Sequence, residues 1–304
     1  CVLYKYSYFI VSNEYSSNFG NLRNKGLTIN HQWSKSFEFE KLFQDYVSNF
    51  ISQDIVYFSL LRSFYEIRIV KMFSKFMKYF PIFSSCNSNF RTVGNTNKGL
   101  WCLKCPKCLF VFTLLSAFLG KKDLSFIFGK ILYEDKNLLP LFKDILGLGG
   151  VKPFDCVGTF EEVQSALYLA KNKFKDSFIM RQVGKRVKYY KEVFGTTDQT
   201  NIPEQFKLLG MEKVLILGYG KEGKVTKKYL KKYYPNLKIG IADEKQGRNY
   251  LKEQEKFDIA IKTPGVKKEL VTIPYTTATN LFFAKVHGQN LIIGITGSKG
   301  KSTT

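Results

Sequence analysis

The chain has 304 residues, 44% of them apolar and 16% aromatic, and a formal net charge of +22. That length allows about two domains, and that apolar content excludes wholesale disorder, collagen-like repeats and coiled coils. The charge invites a nucleic-acid or membrane reading, but it comes from 40 lysines against seven arginines, spread over both halves. Nucleic-acid readers lean on arginine for bidentate contacts, so solvated lysine faces explain the excess better. No run reaches the ~18–20 apolar residues of a membrane span. The longest, Leu109–Leu119, reads as a buried helix. We therefore expect a cytoplasmic protein with no nucleic-acid partner, no membrane span and no obligate protein partner. The chain opens on Cys1 and closes at Thr304 inside a phosphate-loop pattern, so a piece cut at both ends is expected.

Taken in order, Tyr8–Val11 reads as a strand ending in Ser12-Asn13-Glu14, followed by a polar loop through Asn30–Ser36. Phe37, Leu42, Phe43, Tyr46, Val47 and Phe50 share one helical face. A long apolar-periodic helix is expected over 56–77, and another after the cysteine cluster. Thr159 and Glu162 form a capping box that starts a helix to about 174, with Val163, Ala166, Leu167 and Ala170 as its core stripe. Residues 175–193 read as a basic amphipathic helix. From about 210 the texture becomes β-α-β-α-β. Val214–Leu217, Leu237–Ala242 and Asp258–Ile261 are the strands, a lysine-rich helix runs to Tyr234, Thr277–Val286 is helical, and Leu291–Ile295 is a final strand. The expected class is α/β. A mostly helical, cysteine-rich part spans 1–197 and a linker 198–210. A Rossmann-like parallel domain spans 211–288, and the start of a P-loop domain spans 289–304.

Cys102, Cys105 and Cys108 form a C-x2-C-x2-C run, with Cys86 upstream. Four thiolates make a tetrahedral zinc shell, and the two-residue spacing lets a tight knuckle aim two sulfurs at one ion. Cys156 or a water is the alternative fourth ligand. Such a site carries net charge −2, which Lys104 and Lys107 would offset. Without histidine or an open position, the zinc reads as structural.

Several segments of this first part resemble UDP-N-acetylmuramoyl-L-alanyl-L-glutamate epimerases of the MurL type. They are Ser12-Asn13-Glu14, Asn30-His31-Gln32, Ser34-Lys35-Ser36, Ser85-Cys86-Asn87, Trp101-Cys102 through Cys108, and Lys152-Pro153-Phe154 through Thr159. The resemblance covers about 1–195 and implies an ATP-pyrophosphatase-like α/β fold with a cysteine-rich helical appendage. Its glycine-rich ATP loop is expected upstream of Cys1. The implied reaction inverts a terminal glutamate using ATP and magnesium. Adenylating the carboxylate removes its charge and lets an enolate form, and a general base takes the α-proton. Glu14, His31 and Lys35 are the candidate catalytic residues.

Gly218-x-Gly220-x-x-Gly223 follows a strand and opens a helix, with Asp243 twenty residues beyond Gly223, a nucleotide-binding pattern that alone suggests NAD. Gly297-Ser298-Lys299-Gly300-Lys301-Ser302-Thr303-Thr304 decides against it. Its backbone amides would cradle ATP phosphates, Lys301 would reach the β/γ oxygens, and Ser302 would ligate magnesium. With Thr263-Pro264-Gly265 between, the pair resembles Mur ligases, nearest the MurD type that joins glutamate to UDP-N-acetylmuramoyl-L-alanine. That likeness implies a UDP-substrate site of Gly218, Gly220, Lys221, Glu222, Gly223, Asp243, Thr263, Pro264, Gly265 and Asn280. Many relatives have an acidic residue where Asn280 stands. The two resemblances imply consecutive steps on one UDP-N-acetylmuramoyl peptide, with glutamate, ATP, magnesium and a structural zinc. The expectation is a bifunctional piece, inactive in isolation. A tRNA- or nucleobase-modifying pyrophosphatase-like enzyme is the alternative.

Overall fold

The computed structural model describes residues 1–286 apart from Asn21, 91–98, Val151 and Arg248. Two compact units divide at Asn201/Ile202. The expected final strand Leu291–Ile295 and the loop Gly297–Thr304 lie outside the described residues.

The first unit opens with β1 (Tyr8–Val11), as its two aromatic and two β-branched residues suggest. It pairs in parallel with β4 (Val56–Ser59), Tyr8 opposite Val56 and Val11 opposite Ser59. This corrects the long helix expected over 56–77. Val56, Tyr57 and Phe58 go to the sheet, and the helix α2 begins only at Glu66 and ends at Phe73. Between the two strands lies a hairpin, β2 (Leu22–Asn24) and β3 (Leu27–Ile29), where a polar loop was expected. Lys25 and Gly26 turn it at φ 47° and 81°, the positive values that a two-residue hairpin turn demands. Helix α1 (Phe37–Phe50) is capped by the Ser36 hydroxyl, which accepts from the Phe39 amide. Its apolar stripe is only partly covered, with Val47 buried but Tyr46 52% and Phe50 76% exposed. The helix packs Phe43 on Tyr57 of β4, ring centroids 4.7 Å apart, and a two-stranded sheet is too narrow to cover the rest.

The rest of the unit is helical: α3 (Pro106–Phe118), α4 (Lys121–Phe128), α5 (Leu139–Ile145), α6 (Phe160–Ala170) and α7 (Phe178–Val183). Helix α3 is buried from Lys107 through Ser116, as an all-round apolar helix must be. Both arms of the capping box start α6, and Val163, Ala166, Leu167 and Ala170 face the core, though the helix ends at Ala170. The amphipathic helix expected over 175–193 shrinks to α7. After Gly184 the amides of Lys188 and Tyr190 bond to the Gln164 and Ser165 side chains of α6 instead of to a helical turn. Val187 and Val193 still reach the core from this irregular stretch.

The second unit is a parallel sheet in the order β6-β5-β7-β8. Its strands are β5 (Lys213–Leu217), β6 (Lys238–Ala242), β7 (Ile259–Lys262) and β8 (Tyr275–Thr277), with α8 (Lys221–Tyr233) after β5 and α9 (Ala278–Val286) after β8. Val214 through Leu217 are all buried, the mark of a strand covered on both faces. Two single 3-10 turns, Glu244–Gln246 and Gln254–Lys256, lie between β6 and β7, in a polar stretch with no helical apolar stripe. Strand β8 is three residues long and was not foreseen. Leu208, from the stretch expected as linker, is buried in this unit's core, and the Thr276 hydroxyl donates to Glu204 at 2.7 Å.

Candidate active site and metal centre

The first unit brings Cys86, Cys102, Cys105 and Cys108 together, every pair of sulfurs within 4.8 Å. Cys102 and Cys108 lie 3.8 Å apart, close to the ~3.8 Å edge of a tetrahedron with zinc–sulfur bonds of ~2.3 Å. Leu103 sits at φ 62°, which folds the run back on itself. The Cys102 amide donates to Cys86 Sγ at 3.3 Å, and the Cys108 amide donates to Cys105 Sγ at 3.4 Å. Cys105 also caps α3, with Pro106 at the first helical position. Hydrogen bonds from the Cys108 thiol and amide pull the Cys105 thiol down to about 5. The same contact, with burial, pushes Cys108 up. These sulfurs could hold a metal ion. Cys156 stands outside the cluster.

A second cluster gathers polar groups from five segments. Glu14 follows β1. The segment 30–36 carries His31 and Lys35, and Glu66 begins α2. Lys107 lies on α3, and Cys156 lies in the loop before α6. Lys107 Nζ binds Glu66 Oε1 at 2.9 Å. This corrects its expected role of offsetting the metal site's charge. Burial pulls Lys107 down, but Glu66, Glu14 and Cys156 outweigh that and its pKa lies above the usual lysine value. Burial raises the Glu14 carboxyl, the Glu66 charge adds to this, and Lys107 and Lys35 oppose it. Lys35 Nζ lies 3.7 Å from Cys156 Sγ, and His31 Nε2 lies 3.9 Å from the same sulfur. His31 stacks on Phe154 at 4.8 Å, and burial, with Lys152 and Lys35 nearby, lowers its pKa. The structure thus brings Glu14, His31 and Lys35 to one place.

What holds that place together was not legible. Arg62, fully buried, donates from Nη1 to the Glu14 carbonyl at 2.8 Å and from Nη2 to the Lys35 carbonyl at 2.6 Å. It also pairs with Glu40 at 3.0 Å. Ser17 Oγ bridges the same two carbonyls. Beneath them Glu162, besides capping α6, accepts from Ser16 Oγ at 2.7 Å and from the Ile67 amide at 3.0 Å. Burial, with Glu66 nearby, pushes its carboxyl up to about 7. Sequence gave no sign of Arg62 or Glu66. Cys156 was marked only as an alternative metal ligand.

In the second unit, a cleft of about 350 Å³ opens at the C-terminal ends of β5 and β7, where the strand order reverses and parallel α/β sheets bind ligands. It is lined by Gly218, Gly220, Lys221, Glu222, Gly223, Asp243 and Thr263-Pro264-Gly265, among others. Gly218 has φ 87°, and a Cβ there would lie 2.1 Å from Thr263 Oγ1. A Cβ on Gly223 would meet the Gly218 carbonyl at 2.2 Å, so the loop and α8 close only around glycine. Asp243 accepts from the Tyr219 and Lys245 amides, which hold its carboxyl below the usual range. Thr263 Oγ1 donates to the Leu217 carbonyl and is buried. Asn280 lies on α9, outside the cleft lining. The loop 297–303 expected to bind ATP, with Ser302 expected to ligate magnesium, lies outside the described residues.

Two family models match the first unit. Residues 1–60 match the MurL N-terminal domain and residues 82–198 match the MurL C-terminal domain. This part of the chain is MurL-like. The chain is 39% identical over 158 residues to a UDP-N-acetyl-alpha-D-muramoyl-L-alanyl-L-glutamate epimerase of Xanthomonas oryzae pv. oryzae, covering 52% of this chain and 35% of that one. It is 37% identical over 174 residues to the protein of the same name from a Micromonospora species, covering 57% and 38%. The chain therefore spans just over a third of the length of these MurL-type relatives. A UDP-N-acetylmuramoylalanine--D-glutamate ligase of Oenococcus oeni is 31% identical over 107 residues, 31% of this chain and 24% of that protein. No solved structure matches. The MurL N-terminal match was not separated at sequence level, where one resemblance covered 1–195. No helix among the described residues is long and apolar enough to cross a membrane.

Proposed function

We propose that the first unit serves ATP-dependent epimerisation of the terminal glutamate of UDP-N-acetylmuramoyl-L-alanyl-L-glutamate. The observation that carries this reading is that both MurL domain matches fall on the unit in which Glu14, His31 and Lys35 converge. Lys35 would give the site a cation for an anionic substrate carboxylate. The carboxyl of Glu14, raised by burial and by Glu66, would serve in proton transfer. The fold would be the ATP-pyrophosphatase-like one, and the reaction would need ATP and magnesium. Zinc on Cys86, Cys102, Cys105 and Cys108 would be structural, fixing the start of α3 and with it Lys107.

The second unit would bind the UDP part of UDP-N-acetylmuramoyl-L-alanine at the Gly218–Gly223 loop. Phosphate would meet the amides at the N-terminus of α8, and Lys301 and Ser302 would serve ATP and magnesium for joining glutamate. The two activities together give consecutive steps of peptidoglycan precursor synthesis. The test uses the whole open reading frame that carries this chain, in D2O with UDP-N-acetylmuramoyl-L-alanyl-L-glutamate, ATP and magnesium. Epimerisation puts deuterium on the glutamate α-carbon and yields the D-epimer. Folded, metal-loaded protein that leaves the α-hydrogen in place sinks the reading. Supplying L- or D-glutamate with UDP-N-acetylmuramoyl-L-alanine tests the ligase half.

A further inference from the structure

We infer that Cys156 is the second acid–base group of the epimerisation, its sulfur held between His31 Nε2 and Lys35 Nζ and sharing the Lys35 cation with the Glu14 carboxyl. This rests on the epimerase reading above. Inverting a carbon centre needs a proton taken from one face and another given to the opposite face. One carboxyl group serves one face, so a second titratable group must stand near it.

Cys156 fits that need on several observations. Its sulfur is partly buried and lies apart from the four-cysteine cluster. Two nitrogens approach it, Lys35 at 3.7 Å and His31 at 3.9 Å, close enough to exchange a proton with the sulfur. Lys107 lies within electrostatic range of both Cys156 and Glu14. His31 Nδ1 is buried with no hydrogen-bond partner among the described residues, so its ring leaves Nε2 to face the sulfur. The loop Lys152–Val157 brings the thiol here, and Phe154 stacks on His31 to fix the ring.

The step balances in protons and electrons. ATP first converts the substrate carboxylate to an acyl adenylate, releasing pyrophosphate. The Cys156 thiolate then takes the α-hydrogen as a proton, and the C–H electron pair moves into the activated carbonyl as an enolate. The Glu14 carboxyl, protonated beforehand from solvent, gives its proton to the other face of the α-carbon. Solvent exchange deprotonates the thiol and reprotonates the carboxylate, and water cleaves the acyl adenylate.

The test follows Cys156 by peptide-resolved mass spectrometry during iodoacetamide treatment at pH 7, beside glutathione. Cys156 in the 304-residue chain should react at least ten-fold faster than glutathione. Lys35→Ala and His31→Ala should each slow it about ten-fold without loss of the folded circular-dichroism signal. A rate no higher than glutathione's, or one indifferent to both variants, overturns the proposal. In the open reading frame, Cys156→Ser should cut α-deuterium exchange at least 100-fold with the metal content and fold unchanged. If wild type exchanges and Cys156→Ser stays within three-fold of it, the inference fails and the epimerase reading stands. If wild type exchanges nothing, the reading fails and takes the inference with it.

Discussion

The two candidate sites are built in opposite ways. In the second unit the cleft is a contiguous loop, Gly218 through Gly223, plus two strand ends. Its constraint is glycine geometry at Gly218 and Gly223. In the first unit the site is assembled from residues up to 142 positions apart, Glu14 to Cys156, and its groups are charged side chains placed by a buried arginine. A backbone-built site tolerates much of its surroundings changing. A side-chain-built site depends on every element that aims a charge, so it couples to the stability of the whole unit.

The sharpest break of that comparison is metal removal. Structural zinc binds zinc-finger peptides with about 10–16 kcal/mol at pH 7. Chelation, or Cys108→Ser, should therefore unfold the first unit, seen as loss of its thermal transition, and leave the second unit's transition in place. Elemental analysis should give about one zinc per chain before treatment, and a folded, metal-free first unit refutes the centre. Next is Arg62→Ala, which strands the buried Glu40 carboxylate and frees the Glu14 and Lys35 carbonyls. It should cost about 3–5 kcal/mol in urea unfolding of the first unit, and a loss under 1 kcal/mol would break the argument that Arg62 holds the site.

A smaller effect comes from Glu162. Burial pushes its carboxyl up to about 7 in the folded chain from an ordinary value of 4.5, so between those values the folded state binds the extra proton. Its contribution to stability is present below pH 4.5 and is lost as pH rises through 7, about 3 kcal/mol in all. Urea unfolding at pH 5 and pH 8 should show this loss in wild type, and Glu162→Gln should flatten it. An unchanged slope in the variant would assign the titration to another group. The smallest expected effect is Gly218→Ala, where φ 87° and the Thr263 contact cost about 1–3 kcal/mol. That loss should fall on the second unit alone, together with weakened UDP binding by calorimetry.

Much of this was written in the sequence wherever a local rule governs. The glycine loop, β5 and its buried run, the Thr159–Glu162 cap, the all-apolar α3 and the cysteine spacing each depend on residues a few positions apart. Propensity, capping and turn sterics decide at that range. The failures share one cause. Residues 56–59 carry apolar periodicity that suits a helix, but pairing with β1 makes them a strand. Residues 184–193 read as a helix until the side chains of α6 offer their amides other partners. The stripe on α1 was correct as a helix and misleading as a core, since burial depends on what the fold supplies opposite it.

The sequence by itself determined α1, α3 and α8, the strands β1, β5, β6 and β7, the turn 218–223 and the close spacing of Cys102, Cys105 and Cys108, because those follow from short-range sterics and residue spacing. Only the tertiary structure decided that Lys107 pairs with Glu66, that Arg62 joins the Glu14 and Lys35 segments, and that Cys156 meets His31 and Lys35. Those are long-range electrostatic contacts, and their strength depends on burial and on distances of a few ångströms. Neither is fixed until the chain has closed on itself.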